Sequence, residues 1–196
     1  MLAVFLNIGG TIIWIVIGVV VLLLIFWIIG GYNKLVQLRN KVRNGWSQID
    51  VQLKRRFDMI PNLVETVKGY ASHEKGIFEE FGKARNMYAH GQQTGNVAEM
   101  AQANNGLSGA IGRLLMVQEA YPELKANENF KTLMTQLNDT ENKISFSRQF
   151  YNDIVLNFNN AIEVFPTLII AKLFSFKAAQ FFEAQGAERE NVKVSF

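Results

Sequence analysis

The first 33 residues contain no Asp, Glu, Lys, Arg or His, and Thr11 to Ile29 is almost wholly Ile, Val, Leu, Phe and Trp. A run of about 20 apolar residues matches the roughly 30 Å hydrocarbon core of a bilayer, so this segment is expected to be a transmembrane helix. A cleaved signal peptide would need a cationic leader, a shorter apolar core and a small-x-small site. This stretch has no cation, and it ends in Gly30-Gly31-Tyr32-Asn33-Lys34. Trp14 and Trp27 stand toward its two ends and Tyr32 just beyond it, as interfacial aromatics do. Lys34, Arg39, Lys41 and Arg43 all precede the first acidic residue, Asp50. By the positive-inside rule the N-terminus is outside and everything after Tyr32 is cytoplasmic. The same four side chains are expected to contact lipid head groups, at about 1 kcal/mol per cation near an anionic surface.

The remaining length suffices for one domain with a core. The absence of cysteine from the 196 residues excludes disulfides, thiolate catalysis and thiolate metal sites. A net charge of only +3 argues against nucleic acid as a partner.

Beyond the apolar run the spacing is helical. Leu35, Leu38, Val42, Trp46, Ile49, Leu53, Phe57, Ile60, Val64 and Val67 step by three or four residues, the seam of a bundle or coiled-coil helix. This helix is expected to continue directly out of the membrane, reaching about 85 Å from Thr11 to Val67 at helical rise. A second helix is expected from near Ser72 to Gly91, followed by a turn at Gly91–Asn96. A third runs from Val97 to Glu119, with Gly106, Gly109 and Gly112 permitting close approach, and a fourth from Glu128 to Phe165. Pro166 then marks a boundary before a Phe-rich fifth segment, Thr167 to Ala184. No period-2 run supports a sheet. The expected fold is therefore all-α, an N-terminal transmembrane helix continuing into an antiparallel bundle of four to five helices. The expected organisation is a membrane segment over 1–32, a bundle over 33–186 and an extended tail over 187–196.

Motifs for chemistry fail in both sequence and context. His73 and His90 lack carboxylates at ligand spacing, so no metal site is expected. Gly76 and Gly82 resemble a phosphate loop but enclose one residue too many, and Ala84 stands where Ser or Thr would hold magnesium. Around Ser108, Ala110 replaces the second glycine of a nucleophile elbow. No catalytic residue and no cofactor is assigned, and the chain is read as not an enzyme.

Polar residues on the seams are more informative. Glu141 and Arg148 flank Ile144 one heptad apart, Arg85 lies between Phe81 and Tyr88, and Asn152 and Asn159 repeat at seven residues. Such groups need partners, because removing one member of a buried ion pair costs about 3–5 kcal/mol. Their best-attested use is to fix helix register.

The blocks RRFDMIPNLVETVKGY (55–70) and TEN, SR, YND and FN (140–159), with the closing VKVSF, are similar to the bacterial LemA family over about residues 32–196. The sequence departs from that pattern at Phe174-Ser175-Phe176, where Gly-Phe is usual. The resemblance implies an antiparallel helical bundle on one membrane anchor in the bacterial cytoplasmic membrane, with no established enzymatic activity. It also implies a structural polar network of Arg56, Asp58, Asn62, Glu74, Arg85, Glu141, Arg148, Tyr151 and Asn152.

Together these readings describe a non-enzymatic, membrane-anchored scaffold that self-associates or recruits other membrane proteins, in a role of membrane organisation. Leu173, Phe174, Phe176, Phe181 and Phe182 exceed what one helix face can bury and form the candidate interface. The alternative is an interfacial lipid-binding or membrane-shaping protein that lays the last helix on the bilayer. Pro61 is expected at a kink or in the first turn of a restarted helix, from which Arg56 and Asp58 would reach Glu141 and Arg148.

Overall fold

The computed structural model describes the backbone of residues 2–183 and the side chains of residues 13–183. The elements in order are α1 (Leu2–Asp58), α2 (Ile60–Lys68), α3 (Lys75–Thr94), α4 (Val97–Val117), a 3-10 turn (Gln118–Ala120), α5 (Pro122–Ala126), α6 (Glu128–Glu163) and α7 (Thr167–Leu173). No strand occurs among the described residues, and the all-α bundle expected from periodicity is what the chain adopts. The tail expected over 187–196 lies outside the described residues.

α1 is by itself long and apolar enough to cross a membrane. From Ile13 to Ile29 its apolar side chains are exposed around the whole circumference, as suits a helix that satisfies its own backbone while facing lipid. From Leu35 onward burial is confined to one stripe, with Leu35, Val42, Ile49, Leu53 and Phe57 inside. α1 stops at Asp58, and Pro61 sits in the first turn of α2, where its missing N–H leaves no helical bond unmade. The Leu63 N–H then bonds to the Met59 carbonyl at 3.1 Å. The buried stripe carries through this restart, with Ile60 and Val67 both inside as the seam requires. Leu63 is fully buried, while Val64, expected on the seam, is only half-buried.

The described chain packs as two compact units. The first comprises residues 1–42 and 156–179. Here α7 turns 89° from α6 across Pro166 and buries Ile170 and Ala171. Ile170 lies so close over Gly31 of α1 that any side chain there would collide with it. The helix expected through Ala184 ends instead at Leu173. Ser175 takes a left-handed φ of 56°, its N–H reaches the Lys172 carbonyl at 3.3 Å, and the Phe176 N–H reaches the Ala171 carbonyl at 2.9 Å. That pair of bonds is a Schellman closure with serine in the position glycine usually fills. The rings of Phe174 and Phe176 then pack on Tyr32, with centroids 4.7 and 5.9 Å away. Asn159 of α6 holds the returning chain, accepting from the Ala179 N–H at 2.8 Å and donating to its carbonyl at 3.0 Å.

Among the described residues the second unit comprises 43–155 and 180–183. Arg56 meets Glu141, while Gly45 and Trp46 meet Tyr151, so α1 and α6 run antiparallel here. α3 continues through the expected turn to Thr94, and Gly95 closes it at φ 68°. Asn96 caps α4 by accepting from the Glu99 N–H, and the resulting α3–α4 hairpin covers the inner faces of α1 and α6. Phe57 stacks on Tyr88 at 4.2 Å, and Leu53, Phe81, Leu107, Leu114, Leu137 and Ile144 are likewise buried in this unit. Each such leucine contributes about 1.5–3 kcal/mol relative to exposure. Of the three α4 glycines, only Gly106 would place a Cβ near another element, 3.9 Å from Ala84.

Candidate functional site

The most concentrated polar chemistry lies in the second unit, at the last turn of α1. Arg56 faces inward because it shares the helix stripe of Leu53 and Phe57, and its side chain is only 3% exposed. It donates to Asn104 Oδ1 at 2.5 Å and to Ser108 Oγ at 3.1 Å, both on α4, and it pairs with Glu141 of α6. Asn104 also donates to Glu141 at 3.4 Å, and the Ser108 hydroxyl donates to the Asn104 carbonyl at 3.1 Å. Glu141 is 37% exposed, so the carboxylate end of the cluster touches solvent and the guanidinium end does not. Burial pushes the Arg56 guanidinium below its ordinary value, against the opposing pull of Glu141. The Arg56 Nε is buried with no partner.

Chemically, this is a guanidinium held by fixed acceptors on two helices. It ties α1, α4 and α6 together at one level. Among the described residues no group of three His, Cys, Asp or Glu could hold a metal ion.

The nine residues expected to share one network separate into several local contacts. Arg56 and Glu141 come together. Asp58 and Asn62 are exposed; Asp58 acts at a distance, adding with Asp50 to the burial that pushes the Tyr88 hydroxyl up to about 12. Glu74 accepts from the Tyr121 hydroxyl at 3.3 Å. Arg85 is exposed at the rim of a groove of about 400 Å³ floored by Ile60, Pro61, Val64 and Phe78. Arg148 is half-buried and makes no ion pair among the described residues. Tyr151 donates to the Gln180 carbonyl at 2.8 Å, and burial pushes its hydroxyl up to about 12. Asn152 accepts from the Phe182 N–H at 2.9 Å and donates to its carbonyl at 3.4 Å. Asn104 and Ser108 are the members missed from sequence. Both are short polar residues on α4 beside its buried stripe of Met100, Ala103, Leu107, Ile111 and Leu114.

The expected apolar interface also needs correcting. Leu173 and Phe174 are exposed, Phe176 and Phe181 are half-buried, and Phe182 is 1% exposed with its ring 5.9 Å from Trp46. The cause is the helix end at Leu173, because an extended return aims its rings back toward α1 where a longer helix would have left them outside. A different open face lies between α1 and α6 of the second unit. It is a groove of about 610 Å³ lined by Gln48, Val51, Gln52, Asn142, Lys143 and Phe146, with Phe146 80% exposed and Phe150 exposed one turn on. Of the four expected head-group contacts, Lys34, Lys41 and Arg43 are exposed. Arg39 is half-buried, its guanidinium 5.1 Å over the Phe176 ring.

Comparison with known proteins converges on one lineage. The sequence profile of the LemA family matches residues 45–196. The magnetosome protein MamQ of Magnetospirillum gryphiswaldense is 24% identical over 179 residues, covering 80% of this chain and 66% of that protein. MamQ 2 of Paramagnetospirillum magneticum is 25% identical with the same coverage. Protein LemA of Metamycoplasma hominis is 25% identical over 171 residues, covering 87% of this chain and 77% of that one. The chain thus spans just under two thirds of the length of the magnetosome relatives.

Proposed function

This chain belongs to the LemA family, and from that premise we propose that it is a non-enzymatic scaffold of the bacterial cytoplasmic membrane. In this reading it is anchored once near its N-terminus, with its bundle on the cytoplasmic side self-associating or recruiting other membrane proteins. The observation that carries the reading is the open α1/α6 face of the second unit. Val51, Phe146 and Phe150 project from two adjacent helices around a groove too shallow to enclose a small substrate. Exposed aromatic residues beside such a groove are the usual mark of a protein contact. The polar chemistry nearby supports the same reading. The charged pair of the bundle is committed to acceptors on neighbouring helices. That two relatives are magnetosome proteins is in keeping with a part in organising membrane.

The absence of cysteine makes the test direct. Single-cysteine variants at Val51, Phe146 and Glu79, the last exposed on α3, are expressed full-length in membranes and oxidised. Self-association through this face predicts cross-linked dimer at Val51 and Phe146 and none at Glu79. Equal or absent cross-linking at all three positions, with a monomer after solubilisation, would exclude it. Phe146→Asp is expected to abolish the dimer while leaving membrane insertion intact.

A further inference from the structure

In the first unit a second apolar surface lies at one level of α1. α7 seats Ile170 on Gly31, and Phe174 packs on Tyr32. These are the positions where the charge-free stretch gives way to the basic one, since Gly30 and Gly31 end the apolar run and Lys34 opens the flank. On the far side of α7 from that contact, Ile169 and Leu173 are 51% and 66% exposed, and Phe165 at the preceding corner is 73% exposed. In water such a patch has no partner. At this level of a membrane-spanning helix it has one, the boundary between head groups and acyl chains.

We propose that α7 and the corner before it form a second bilayer contact, an interfacial helix inserted in the leaflet that α1 leaves. The proposal rests on the anchored reading above. Charge supports a lipid surface as the occupant. Residues 1–42 and 156–179 carry Lys34, Arg39, Lys41, Lys172 and Lys177 against one carboxylate, Glu163. Lys172 lies between Ile169 and Leu173 in sequence and is exposed like them, so its stem covers apolar surface while its ammonium reaches anionic head groups. The exposed aliphatic side chains then occupy the upper acyl region, and the seat of Ile170 on the side-chain-free Gly31 sets the depth.

The test uses the full chain in nanodiscs of phosphatidylethanolamine and phosphatidylglycerol, with single-cysteine nitroxide labels at Val20, Glu79, Ile169 and Leu173. Collisions with oxygen, which concentrates in lipid, are compared with those of a water-soluble nickel chelate. The expected result is a several-fold preference for oxygen at Val20, Ile169 and Leu173, and for nickel at Glu79. Nickel-dominated collisions at 169 and 173, with Val20 still in lipid, would overturn the interfacial helix and leave the anchor standing. Labels at 169 and 173 shielded from both reagents would overturn it in favour of a contact with another protein copy. A Val20 label exposed to nickel would remove the anchor and the inference together. In a second arm, Ile169→Asp with Leu173→Asp is expected to move labels at Lys172 and Phe165 into the nickel-accessible phase. No movement of those labels would also count against the contact.

Discussion

Glu141→Gln removes the carboxylate that faces Arg56 while keeping its shape, and leaves the guanidinium with Asn104 and Ser108 as acceptors. Breaking a buried ion pair from one side costs about 3–5 kcal/mol. Glu141 is 37% exposed, so water can enter from its end of the cluster, and the expected loss is smaller, about 2–3 kcal/mol. For a chain of this length that lowers Tm by about 4–12 °C, at about 2–4 °C per kcal/mol. Arg56→Met should behave differently. Burial lowers the Arg56 pKa despite Glu141, which means that folding favours its neutral form. Burying the cation therefore carries a desolvation cost that Glu141 only partly offsets. An apolar side chain of similar length removes that cost and leaves Glu141 free to hydrate, so Arg56→Met is expected within about 1 kcal/mol of the parent, in either direction. Thermal unfolding of the full chain in detergent, followed by circular dichroism, compares the two. A larger loss for Arg56→Met than for Glu141→Gln would refute the asymmetry and the burial argument behind it.

Ser175→Gly should stabilise by about 0.5–1 kcal/mol, because it relieves a left-handed conformation that costs a side-chain-bearing residue roughly 1–2 kcal/mol; an unchanged or lower Tm would contradict the Schellman assignment. Asn152→Leu strips both backbone bonds from Phe182 and should cost about 2 kcal/mol. It should also speed proteolysis after residue 176, and an unchanged cleavage rate would show that the clamp does not hold the segment. Tyr88 and Tyr151 are each raised from 10.0 to about 12, so the neutral phenol is the form the fold favours. Their stabilisation is present below pH 10 and is lost between pH 10 and about 12, as the unfolded chain ionises first. Tyr151→Phe should flatten that alkaline loss in a pH-dependent melt, and an identical slope would count against it.

Much of this architecture was legible because helix periodicity survives any tertiary context that buries one stripe. The seam from Leu35 to Phe57 follows from spacing, which leaves Pro61 at a kink or a restart and brings Arg56 to Glu141, though not Asp58 to Arg148. Four things did not. Leu63 is buried in place of Val64 between Ile60 and Val67, and since either residue continues a three-four spacing, the apolar pattern does not choose between them. Asn104 and Ser108 look like surface on a helix rich in glycine and alanine, and only the inward guanidinium makes them necessary. The fifth segment has helical composition through Phe182. Its end is decided by a single left-handed residue, Ser175, and by asparagine side chains elsewhere that offer its backbone other partners. The open face with Val51 and Phe146 was hidden for the opposite reason, since each of those residues alone is an unremarkable surface hydrophobe.

Asn152 treats Phe182 as a neighbouring strand would, taking its N–H and giving to its carbonyl. A helix has no free edge to lend, because its own amides and carbonyls are used along its axis, but one carboxamide carries a donor and an acceptor side by side. The address of the returning segment is therefore stored in α6, and the segment itself need supply only a main chain at that point. Drift in the residue that is held should be tolerated wherever its ring is not needed, whereas drift in the asparagine should erase the segment's position.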